Sequence, residues 1–581
     1  MPTIDVDYAE FEKLLGKQLH HNMEETNGIL AYVKGEVKLF DEKEGVMSIE
    51  IKDTNRPDIW NVEGLARALR GFLGIEEGLK EYVVGKPLLE VYVDSRLETI
   101  RPYIGCSIVK NVKLTDTIIR GLMHLQDKLD QSYGRNRQRT SIGMYNFNLI
   151  KPPLHYTVAK PTEISFVPLA FEEKLNLKEI LTKHPKGLEY GHIVSKHRVY
   201  PILLDGDNKV LSFPPVINSS DLGKITDQTK NVLVEVTGTM HETVLNTLKI
   251  VTLSLIDQGG KAYSAKIHYS KEKQPVITPN FENRTVDLSV ECVNKVSGLQ
   301  LTANQIALLL PRARLGISKV DPDKVRVIVP CYRIDVMHPI DLVEDTAITY
   351  GYNKIKPLWR KLPTTGGLAQ DQALLDKARE LMIGLGFQEV LTYTLTNEEN
   401  LFTKMNRKQE KIVKVLNPKV QTMTCLRNWL LPSLLEFLSN NLSVEYPQKI
   451  FELGKITLLD EKRETRTRDE ERLASAITHA GASFSEIKSN LEAFFVNLDL
   501  KWQMKEAGHP SFISGRAGAA TIDGTDVGIL GEIHPKILNA WKLENPLAAF
   551  ELNMDRIVRI KQAQQGISAT KRARKGEDGN T

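Results

Sequence analysis

The sequence predicts a multidomain α+β protein, and three observations carry this prediction. The chain has 581 residues, several times the length of a typical domain, so it must contain more than one hydrophobic core. Hydrophobic residues make up 41% and charged residues 26% of the chain, which is the composition of ordinary globular proteins. Segments with strand-like and helix-like apolar spacing alternate along its length. A single-core protein, a collagen-like chain and a wholly disordered chain are excluded.

The charge is nearly balanced, with 77 Lys and Arg against 73 Asp and Glu, a net charge of +4 at pH 7. Such a surface does not attract nucleic acid everywhere, so any nucleic-acid contact must be local. The four cysteines are scattered without CxxC spacing, which favours neither a disulfide framework nor a thiolate zinc site. No apolar run reaches the roughly 18 to 20 residues that span a bilayer, and the start of the chain is acidic where a signal peptide is basic. We therefore predict a soluble, cytoplasmic protein with no membrane partner.

The first predicted module, residues 1–90, is an α/β N-terminal unit. A strand, a helix and a second strand are expected at Thr3–Val6, Tyr8–Leu15 and Val46–Ile51. The turn-forming segment Asp53–Asp58 then leads into a helix whose apolar residues recur at helical spacing. Because an acid complements the positive end of a helix, we expect Asp58 at the N-terminus of this helix.

The second predicted module, residues 95–270, mixes strands with a helix over Thr115–Leu129. An arginine cluster, Arg135–Arg139, is either a solvated loop or an RNA contact, since aromatic neighbours there can stack on unpaired bases: Tyr133, Tyr145 and Phe147. The segment Val210–Asp221 places two prolines and a polar tip between apolar flanks, which is typical of a pocket wall rather than of a helix or an inner strand. Glu235 lies within an apolar strand, where a carboxylate needs a partner or water.

The third predicted module, residues 283–354, is a small helix-strand module that ends in an acidic helix. This helix is expected to begin at Pro339, since proline is favoured at the first helical position. Asp341, Glu344 and Asp345 stand at i, i+3 and i+4, which predicts three carboxylates on one face, and Asp335 lies just upstream. These acids either complement the helix dipole or hold a hard cation such as Mg²⁺, which prefers carboxylate oxygens.

The fourth predicted module, residues 360–560, has an order of elements that favours an antiparallel sheet with helices packed on it. Helices are expected at Asp371–Leu385, Leu431–Leu438 and Phe484–Asn497. Strands are expected at Glu389–Leu395, Lys449–Leu453, Ala517–Ile522, Val527–Leu530 and Ala549–Leu552. Residues 561–581 contain no aromatic side chain and carry a basic run, which predicts a disordered basic tail.

Taken together, these motifs resemble the β subunit of phenylalanyl-tRNA synthetase in its shorter archaeal and eukaryotic form. The likeness extends over nearly all of residues 1–560, and the order of the motifs along the chain makes it specific. The segments that carry it are Asn55–Asp58, Gly64–Arg67, Leu211–Asn218, Asn231–Glu235, Val329–Asp335, Ile340–Asp345, Tyr350–Tyr352, Leu416–Pro418, Arg427, Leu430–Leu434, Ile450–Gly454 and Leu530–Pro535. The resemblance implies an editing-type second module and a fourth module similar to the antiparallel sheet of class II synthetases.

The resemblance also implies partners and a metal. Enzymes of this family are α₂β₂ tetramers in which α binds ATP and phenylalanine and, through a phenylalanyl-adenylate, charges tRNA(Phe). A magnesium ion is held by the module with the acidic helix and is shared with α. Carried over residue by residue, this implies that Asp335, Asp341, Glu344 and Asp345 are metal ligands, and it favours the metal over the helix-dipole interpretation.

A further implication is hydrolytic editing. An apolar phenylalanine pocket discriminates poorly against tyrosine, which merely adds a hydroxyl, so a second site must remove tyrosine from tRNA(Phe). The family has this site in the module that corresponds to residues 95–240, and our catalytic candidates are Ser212, Asn218 and Glu235. Glu235 is expected to accept the phenol proton, and Asn218 or Ser212 to orient the ester or a water. The alternative is that local turns satisfy the carboxylate and the amide.

The fourth module is expected to be catalytically degenerate. Phe451–Lys455 stands where such enzymes have their first ATP-binding arginine, and Gly515–Gly518 does not complete a GxGxGxxR pattern. Without cationic forks for a triphosphate, adenylation has little transition-state stabilisation, so we predict a non-adenylating scaffold that docks α through apolar runs such as Trp429–Leu435. A non-editing RNA-binding scaffold subunit is the alternative function. A DNA-associated protein is a more remote one, which the acidic helix disfavours.

Overall fold

The structure, a computed structural model, describes residues 2–19, 22–359, 364 and 366–564. The chain divides into two compact units, residues 1–359 and 360–581, and the first three predicted modules all fall within the first unit. Within the described ranges, no helix is both long and apolar enough to cross a membrane. Of the predicted disordered tail, residues 565–581 lie outside the described residues, whereas residues 561–564 end a helix that begins at residue 554.

The first module is a three-stranded antiparallel sheet with three helices, and its strand order is β1-β3-β2. Its strands and helices are β1 (Thr3–Asp7), α1 (Tyr8–Leu15), α2 (Met23–Leu30), β2 (Gly35–Asp41), β3 (Val46–Ile51) and α3 (Val62–Phe72). The predicted bounds of α1 and β3 are confirmed. The side chain of Asp7 caps α1 by accepting from the backbone N–H of Glu10, and Gly16 ends the helix with a φ of +74°.

The prediction for Asp58 is wrong. Helix α3 begins at Val62, and its cap is Asn61, whose side-chain oxygen accepts from the N–H of Gly64 at 3.1 Å. A short turn that begins at Pro57 separates Asp58 from the helix, so its carboxylate is buried next to Arg56 instead. The Arg56 guanidinium donates two bonds to it, at 2.9 and 2.8 Å. The charge of this acid is therefore satisfied by a guanidinium rather than by a helix dipole.

The second module is built on a ten-stranded mixed sheet with helices packed on it. Its strands are β4 (Gly85–Val93), β5 (Tyr103–Lys110), β6 (Thr140–Asn146), β7 (Leu154–Ala159), β8 (Ser165–Phe166), β9 (Leu175–Asn176), β10 (Tyr200–Leu204), β11 (Val210–Phe213), β12 (Ile217–Asn218), β13 (Asn231–Gly238), β14 (Lys261–Tyr269) and β15 (Val276–Thr278). Its helices are α4 (Asp116–Lys128), α5 (Leu177–Lys183), α6 (Pro185–Tyr190) and α7 (His241–Asp257). Strands β8 and β9 pair with each other outside the large sheet.

The main path of this sheet has the strand order β12-β11-β10-β7-β4-β14-β5-β13-β6, and β15 pairs with β14. The second module was predicted to begin at residue 95, which is too late. Strand β4, which ends at Val93, is an inner strand of its sheet and pairs in parallel with both β14 and β7. Strand β11 is also an inner strand, between β10 and β12, whereas Val210–Asp221 was predicted not to contain one. The pairings of β4 join residues far apart in the sequence, so no local pattern indicates them.

The third module is a three-stranded antiparallel sheet of order β16-β18-β17 with three helices. Its elements are β16 (Arg284–Ser289), α8 (Val290–Ser297), α9 (Ala303–Leu309), β17 (Gly316–Val320), β18 (Lys324–Val329) and α10 (Pro339–Tyr350). The predicted start of the acidic helix α10 at Pro339 is confirmed. Its buried stripe, which includes Leu342 and Val343, packs in the same apolar core as β18.

The second unit contains a seven-stranded sheet of order β19-β22-β23-β27-β26-β25-β24, antiparallel except where β19 joins β22. The strands of this sheet are β19 (Gln388–Glu389), β22 (Gln448–Leu459), β23 (Thr467–Thr478), β24 (Trp502–Glu506), β25 (Phe512–Ile522), β26 (Thr525–Ile533) and β27 (Leu547–Asn553), and β20 (Leu395–Thr396) pairs with β21 (Cys425–Leu426) outside it. Its helices are α11 (Gln370–Gly384), α12 (Leu431–Ser439), α13 (Phe484–Asn497) and α14 (Pro535–Ala540). Separate apolar cores contain residues of α11 and α13 and residues of α12 and α14, as expected for a sheet covered on both faces.

Two predictions for the second unit fail. The expected strand Glu389–Leu395 is extended chain with only a two-residue strand at each end. The apolar run Trp429–Leu435 does not form a surface for a partner, because its side chains pack in the core of this unit. An apolar run has the same composition whether it packs in a core or against another protein, so the sequence does not distinguish the two.

Candidate functional site

The three predicted catalytic residues line one cavity of 430 Å³ in the second module. Ser212 on β11 and Asn218 on β12 are paired neighbours, and Glu235 lies on β13 opposite Gly143 of β6. Strands β12 and β6 end the sheet path at opposite edges. The sheet therefore curls until its edges approach each other, and the cavity lies where they meet.

A tyrosine that the sequence did not single out for this site joins the two edges. The hydroxyl of Tyr145, on β6, lies 2.9 Å from Glu235 Oε2 and 3.4 Å from Asn218 Oδ1. Its ring is fully buried, so the alternative in which Tyr145 stacks on unpaired RNA bases does not apply. Gly143 permits the contact, because a Cβ there would overlap both the Tyr145 hydroxyl and Glu235 Oε2.

Glu235 is a buried carboxyl with one oxygen available. Its Oε2 accepts from Tyr145, whereas its Oε1 has no hydrogen-bond partner in the described part of the chain. Burial raises the pKa of Glu235 to about 7, against the opposing effects of Tyr145 and of the Arg101 guanidinium. A buried polar atom without a partner is costly, so this oxygen is suited to accept a bond from a bound molecule.

Ser212 offers a second polar group without a partner. Its side chain is buried, and its Oγ has no hydrogen-bond partner among the described residues. Asn218 is half-buried at the same cavity. The walls contributed by Phe213, Pro214 and Ile217 are apolar. The cavity thus combines an apolar surface with several polar groups, and the three candidate residues among them come from three different strands.

The arginine cluster Arg135–Arg139 also contributes to this cavity. Arg137 is buried and lines it, whereas Arg135 is exposed. The Arg137 guanidinium lies 4.3 Å from the centre of the Tyr190 ring, an aromatic residue of the chain itself. The two alternatives drawn from the sequence, a solvated loop and a base-stacking surface, therefore do not describe Arg137.

The four predicted metal ligands do not form one cluster of carboxylates. Arg333 donates to Asp335 at 2.9 and 2.8 Å and to Asp345 at 2.7 Å, where Arg333 and Asp345 are buried and Asp335 is partly buried. Although burial alone would raise it, Arg333 and Arg56 lower the pKa of Asp335 to about 2. Burial raises the pKa of Asp345 despite Arg333. These two acids are neutralised by guanidinium groups of the same chain.

The other two acids of α10 are engaged elsewhere. Asp341 Oδ2 accepts from the backbone N–H groups of Met337 and His338, both at 2.8 Å, and so caps the helix. Glu344 is 49% exposed and pairs at 2.6 Å with Lys34 of the first module. Consecutive helical residues point about 100° apart, so Glu344 faces solvent while Asp345 faces the core, and the predicted common face is wrong. Among residues 2–19, 22–359, 364 and 366–564, no group of three or more His, Cys, Asp or Glu is placed to hold a metal.

The arginines that stand near the sheet of the second unit are paired with acids. Arg427 donates to Glu452 at 2.9 Å, and both side chains are almost fully buried. Arg516, within the glycine-containing segment of β25, pairs with Glu532 at 2.6 Å. A guanidinium that is paired in this way has its charge already compensated by a neighbouring carboxylate.

Comparisons with known proteins agree with this architecture. The family model described as tRNA synthetase B5 domain matches residues 286–352, and the one described as phenylalanyl tRNA synthetase beta chain CLM domain matches residues 355–554. These matches define the class of the chain as a subunit of an aminoacyl-tRNA synthetase, a tRNA-binding ligase of protein biosynthesis.

Full-length relatives narrow this class. The phenylalanine–tRNA ligase β subunit of Pyrococcus horikoshii is 41% identical over 554 residues, which cover 95% of this chain and 99% of that protein. The β subunit of Methanocaldococcus jannaschii is 37% identical over 556 residues, 96% of this chain and all of that protein. A crystal structure of an N-terminal fragment of the P. horikoshii β subunit superposes with a TM-score of 0.58 at 37% identity, over 60% of this chain and all of the fragment. The chain belongs to the family of phenylalanine–tRNA ligase β subunits.

Proposed function

We propose that this chain, paired with an α subunit in an α₂β₂ tetramer, removes tyrosine that has been attached to tRNA(Phe) by mistake. The α subunit binds ATP and phenylalanine and performs adenylation. The observation that carries the proposal is Glu235 Oε1, a buried carboxylate oxygen without a partner among the described residues, on a side chain that lines the 430 Å³ cavity. The predicted residues Ser212 and Asn218 line the same cavity.

The discrimination rests on the tyrosine hydroxyl. Tyrosine bound in the cavity donates this hydroxyl to Glu235 Oε1, which satisfies the buried carboxylate. Phenylalanine leaves the same oxygen unpaired, and an unsatisfied buried acceptor costs roughly 1 to 3 kcal/mol. Correctly charged tRNA therefore binds less well in this cavity and is released before hydrolysis.

The reaction is ester hydrolysis. A water molecule adds to the carbonyl carbon of the aminoacyl ester, the bond to the terminal ribose oxygen breaks, and that oxygen leaves with a proton as the hydroxyl of the tRNA. Ser212 Oγ and the Asn218 amide are the polar groups available to orient the ester or the water. Burial in an apolar cavity strengthens such contacts, because water competes less for them.

Mischarging by the whole tetramer tests this proposal. With tyrosine, ATP and tRNA(Phe), the Glu235→Ala tetramer should accumulate Tyr-tRNA(Phe), while the wild-type tetramer keeps its level low. Glu173→Ala, which removes an exposed acid of the same module, is the matched control and should behave as wild type. If Glu235→Ala accumulates no more Tyr-tRNA(Phe) than the control, the cavity does not edit and the non-editing scaffold is the correct function.

The second unit is the docking surface for α in this proposal. The predicted run Trp429–Leu435 is buried, but two adjoining segments expose large apolar side chains. Leu391 is 88% exposed and Leu416 is 92% exposed, with Tyr393 and Val420 also exposed nearby. Backbone bonds from Thr424 to Thr396 and from Arg427 to Thr394 join the first segment to residues 424–427, and a bond from Val415 to Thr424 joins the second segment to the same stretch. Exposed large apolar side chains on neighbouring segments are candidates for a protein interface.

Magnesium does not fit the four predicted ligands in this chain alone, because Arg333 and Arg56 already neutralise Asp335 and Asp345. We keep magnesium as a prediction for the α-bound form only. The two carboxylates open to solvent, Asp341 and Glu344, are the ones that a partner could share. No step of the editing reaction depends on this ion.

A further inference from the structure

We propose that Arg137 is a positioning residue of the cavity, which holds the wall Pro214–Val216 in place; this inference rests on the editing function proposed above. Arg137 is only 8% exposed, although it belongs to an arginine-rich loop. Its Nη1 donates to the carbonyl of Pro215 at 3.2 Å and to that of Val216 at 3.1 Å. Both carbonyls belong to the segment that connects β11 to β12.

Two further contacts fix the guanidinium from other directions. Its Nε lies 2.9 Å from Asp130 Oδ2, an ion pair whose alignment is too poor for a good hydrogen bond. Its planar face lies over the ring of Tyr190 at 4.3 Å, where a cation is attracted to the aromatic face. Asp130 follows α4 and Tyr190 ends α6, so Arg137 connects three separate elements around the cavity.

The backbone of residues 135–137 is strained, and the Arg137 side chain on this turn points toward the cavity. Arg135, Asn136 and Arg137 have φ values of +51°, +51° and +62°, three successive residues in the left-handed region that L-residues disfavour. The N–H groups of Asn136 and Arg137 donate to Gln131 and Asp130, both at 3.0 Å, and stabilise the turn. Strain of this kind persists where the surroundings over-determine it, commonly at functional sites.

A second buried arginine supports the same turn. Arg101, which is fully buried, donates to the carbonyl of Arg137 at 3.0 Å and to Ser141 and Thr237 at 3.0 Å. Ser141 itself lines the cavity. The turn is thus held from both sides, and the position of Arg137 is determined by buried contacts rather than by the exposed loop.

The wall matters because it connects two of the candidate residues. Ser212 precedes Pro214–Val216 by two positions, and Asn218 follows it by two. Holding the carbonyls of Pro215 and Val216 therefore sets the distance of both Ser212 and Asn218 from Glu235. Lysine would keep the charge near Asp130, but a flexible ammonium cannot replace a planar fork that contacts two carbonyls and an aromatic face.

The test compares Arg137→Lys and Arg137→Met tetramers with Arg135→Lys, a conservative control on the exposed side of the same turn. Hydrolysis of Tyr-tRNA(Phe) and of Phe-tRNA(Phe) is measured for each. For both Arg137 variants, the KM for Tyr-tRNA(Phe) should rise, and the ratio of kcat/KM for the tyrosyl over the phenylalanyl substrate should fall by about ten-fold, a smaller loss than the roughly hundred-fold that a 1 Å misplacement can cause. Arg135→Lys should keep the wild-type values, and phenylalanylation by α should be unchanged in all three.

Two results would overturn the inference. One is a wild-type KM and ratio in Arg137→Lys, which decides the matter even if Arg137→Met fails to fold. The other is an equal loss of kcat for both substrates at constant KM, which a merely structural role would produce. The outcome is separable from the proposed function: if Glu235→Ala abolishes editing while Arg137→Lys keeps it, only the role of Arg137 fails.

Discussion

The Tyr145 hydroxyl donates to Glu235 Oε2 across 2.9 Å, so the chain satisfies one oxygen of this carboxyl with its own phenol and leaves the other without a partner among the described residues. The chemical group that the cavity is proposed to recognise, a phenol, thus already contacts Glu235 within the chain. Tyr145 occupies one side of Glu235, and a substrate tyrosine is expected to occupy the other.

This relationship predicts a pH effect. The carboxylate form of Glu235 accepts the substrate hydroxyl, and burial holds the pKa of Glu235 at about 7, so the Tyr-tRNA(Phe) hydrolysis rate should rise with pH through about 7. The Tyr145 bond lowers this pKa. Tyr145→Phe removes that bond and should move the midpoint of the pH profile upward. The profile is measured on the tetramer, and a midpoint that stays in place or moves downward contradicts the assignment.

The buried cluster around Arg333 predicts a large loss of stability. Arg333→Leu leaves Asp345 buried without its counter-charge and leaves Asp335 with Arg56 alone, and breaking such a buried pair costs about 3 to 5 kcal/mol. Arg326→Leu removes an exposed partner of Asp287 in the same module and should cost much less, because solvent screens an exposed ion pair. Denaturant unfolding of the two variants is the measurement. Equal stabilities would show that the buried pairs contribute nothing.

The same cluster has a defined pH dependence. The pKa of Asp335 is lowered to about 2, below the ordinary value of an aspartate, so its ion pairs stabilise the folded state above the ordinary pKa. That stabilisation should disappear as the pH falls from about 4 toward 2. Compared over this range, wild type should lose more stability than an Asp335→Asn variant. A constant difference between the two proteins would exclude an ionised Asp335.

The exposed apolar side chains of the second unit predict a contact with α. Leu391→Asp and Leu416→Asp each place a charge on the proposed docking surface and should prevent co-purification with α. Leu308→Asp alters a side chain of the first unit that is 74% exposed and should leave assembly intact. Size-exclusion chromatography of co-expressed subunits distinguishes these results. If Leu391→Asp and Leu416→Asp both form normal tetramers, this surface is not part of the interface with α.

Magnesium gives a separate prediction. The isolated chain should show no Mg²⁺ binding by calorimetry, because guanidinium groups already compensate Asp335 and Asp345. In the tetramer, Asp341→Asn combined with Glu344→Gln should weaken Mg²⁺ binding. Unchanged binding in that double variant would mean that these residues do not hold the ion.

Local chemistry made part of this structure predictable. The start of α10 was predictable because proline is favoured at the first position of a helix. The order of the family motifs along the chain predicted Ser212, Asn218 and Glu235 as residues of one site, and the cavity geometry supports this hypothesis. The contacts of Tyr145 with Asn218 and of Arg137 with Pro215 and Val216 were not predictable, since they arise only when opposite edges of a ten-stranded sheet approach each other.

The errors have equally physical causes. The i, i+3, i+4 spacing placed Asp341, Glu344 and Asp345 near one face, but it does not say which side of α10 faces the core. Asp345 can be buried because Arg333, which lies on a different segment, donates a hydrogen bond to its carboxylate. Similarly, the charges near Asp58 in the sequence do not show that its carboxylate pairs with the neighbouring Arg56 rather than with a helix N-terminus.

Single-turnover hydrolysis of pre-charged Tyr-tRNA(Phe) by the purified tetramer tests the central claim most directly. The wild-type protein should release tyrosine much faster than it releases phenylalanine from Phe-tRNA(Phe), and Glu235→Ala should slow tyrosine release to the rate of phenylalanine release. Equal release rates for wild type and Glu235→Ala would contradict the account.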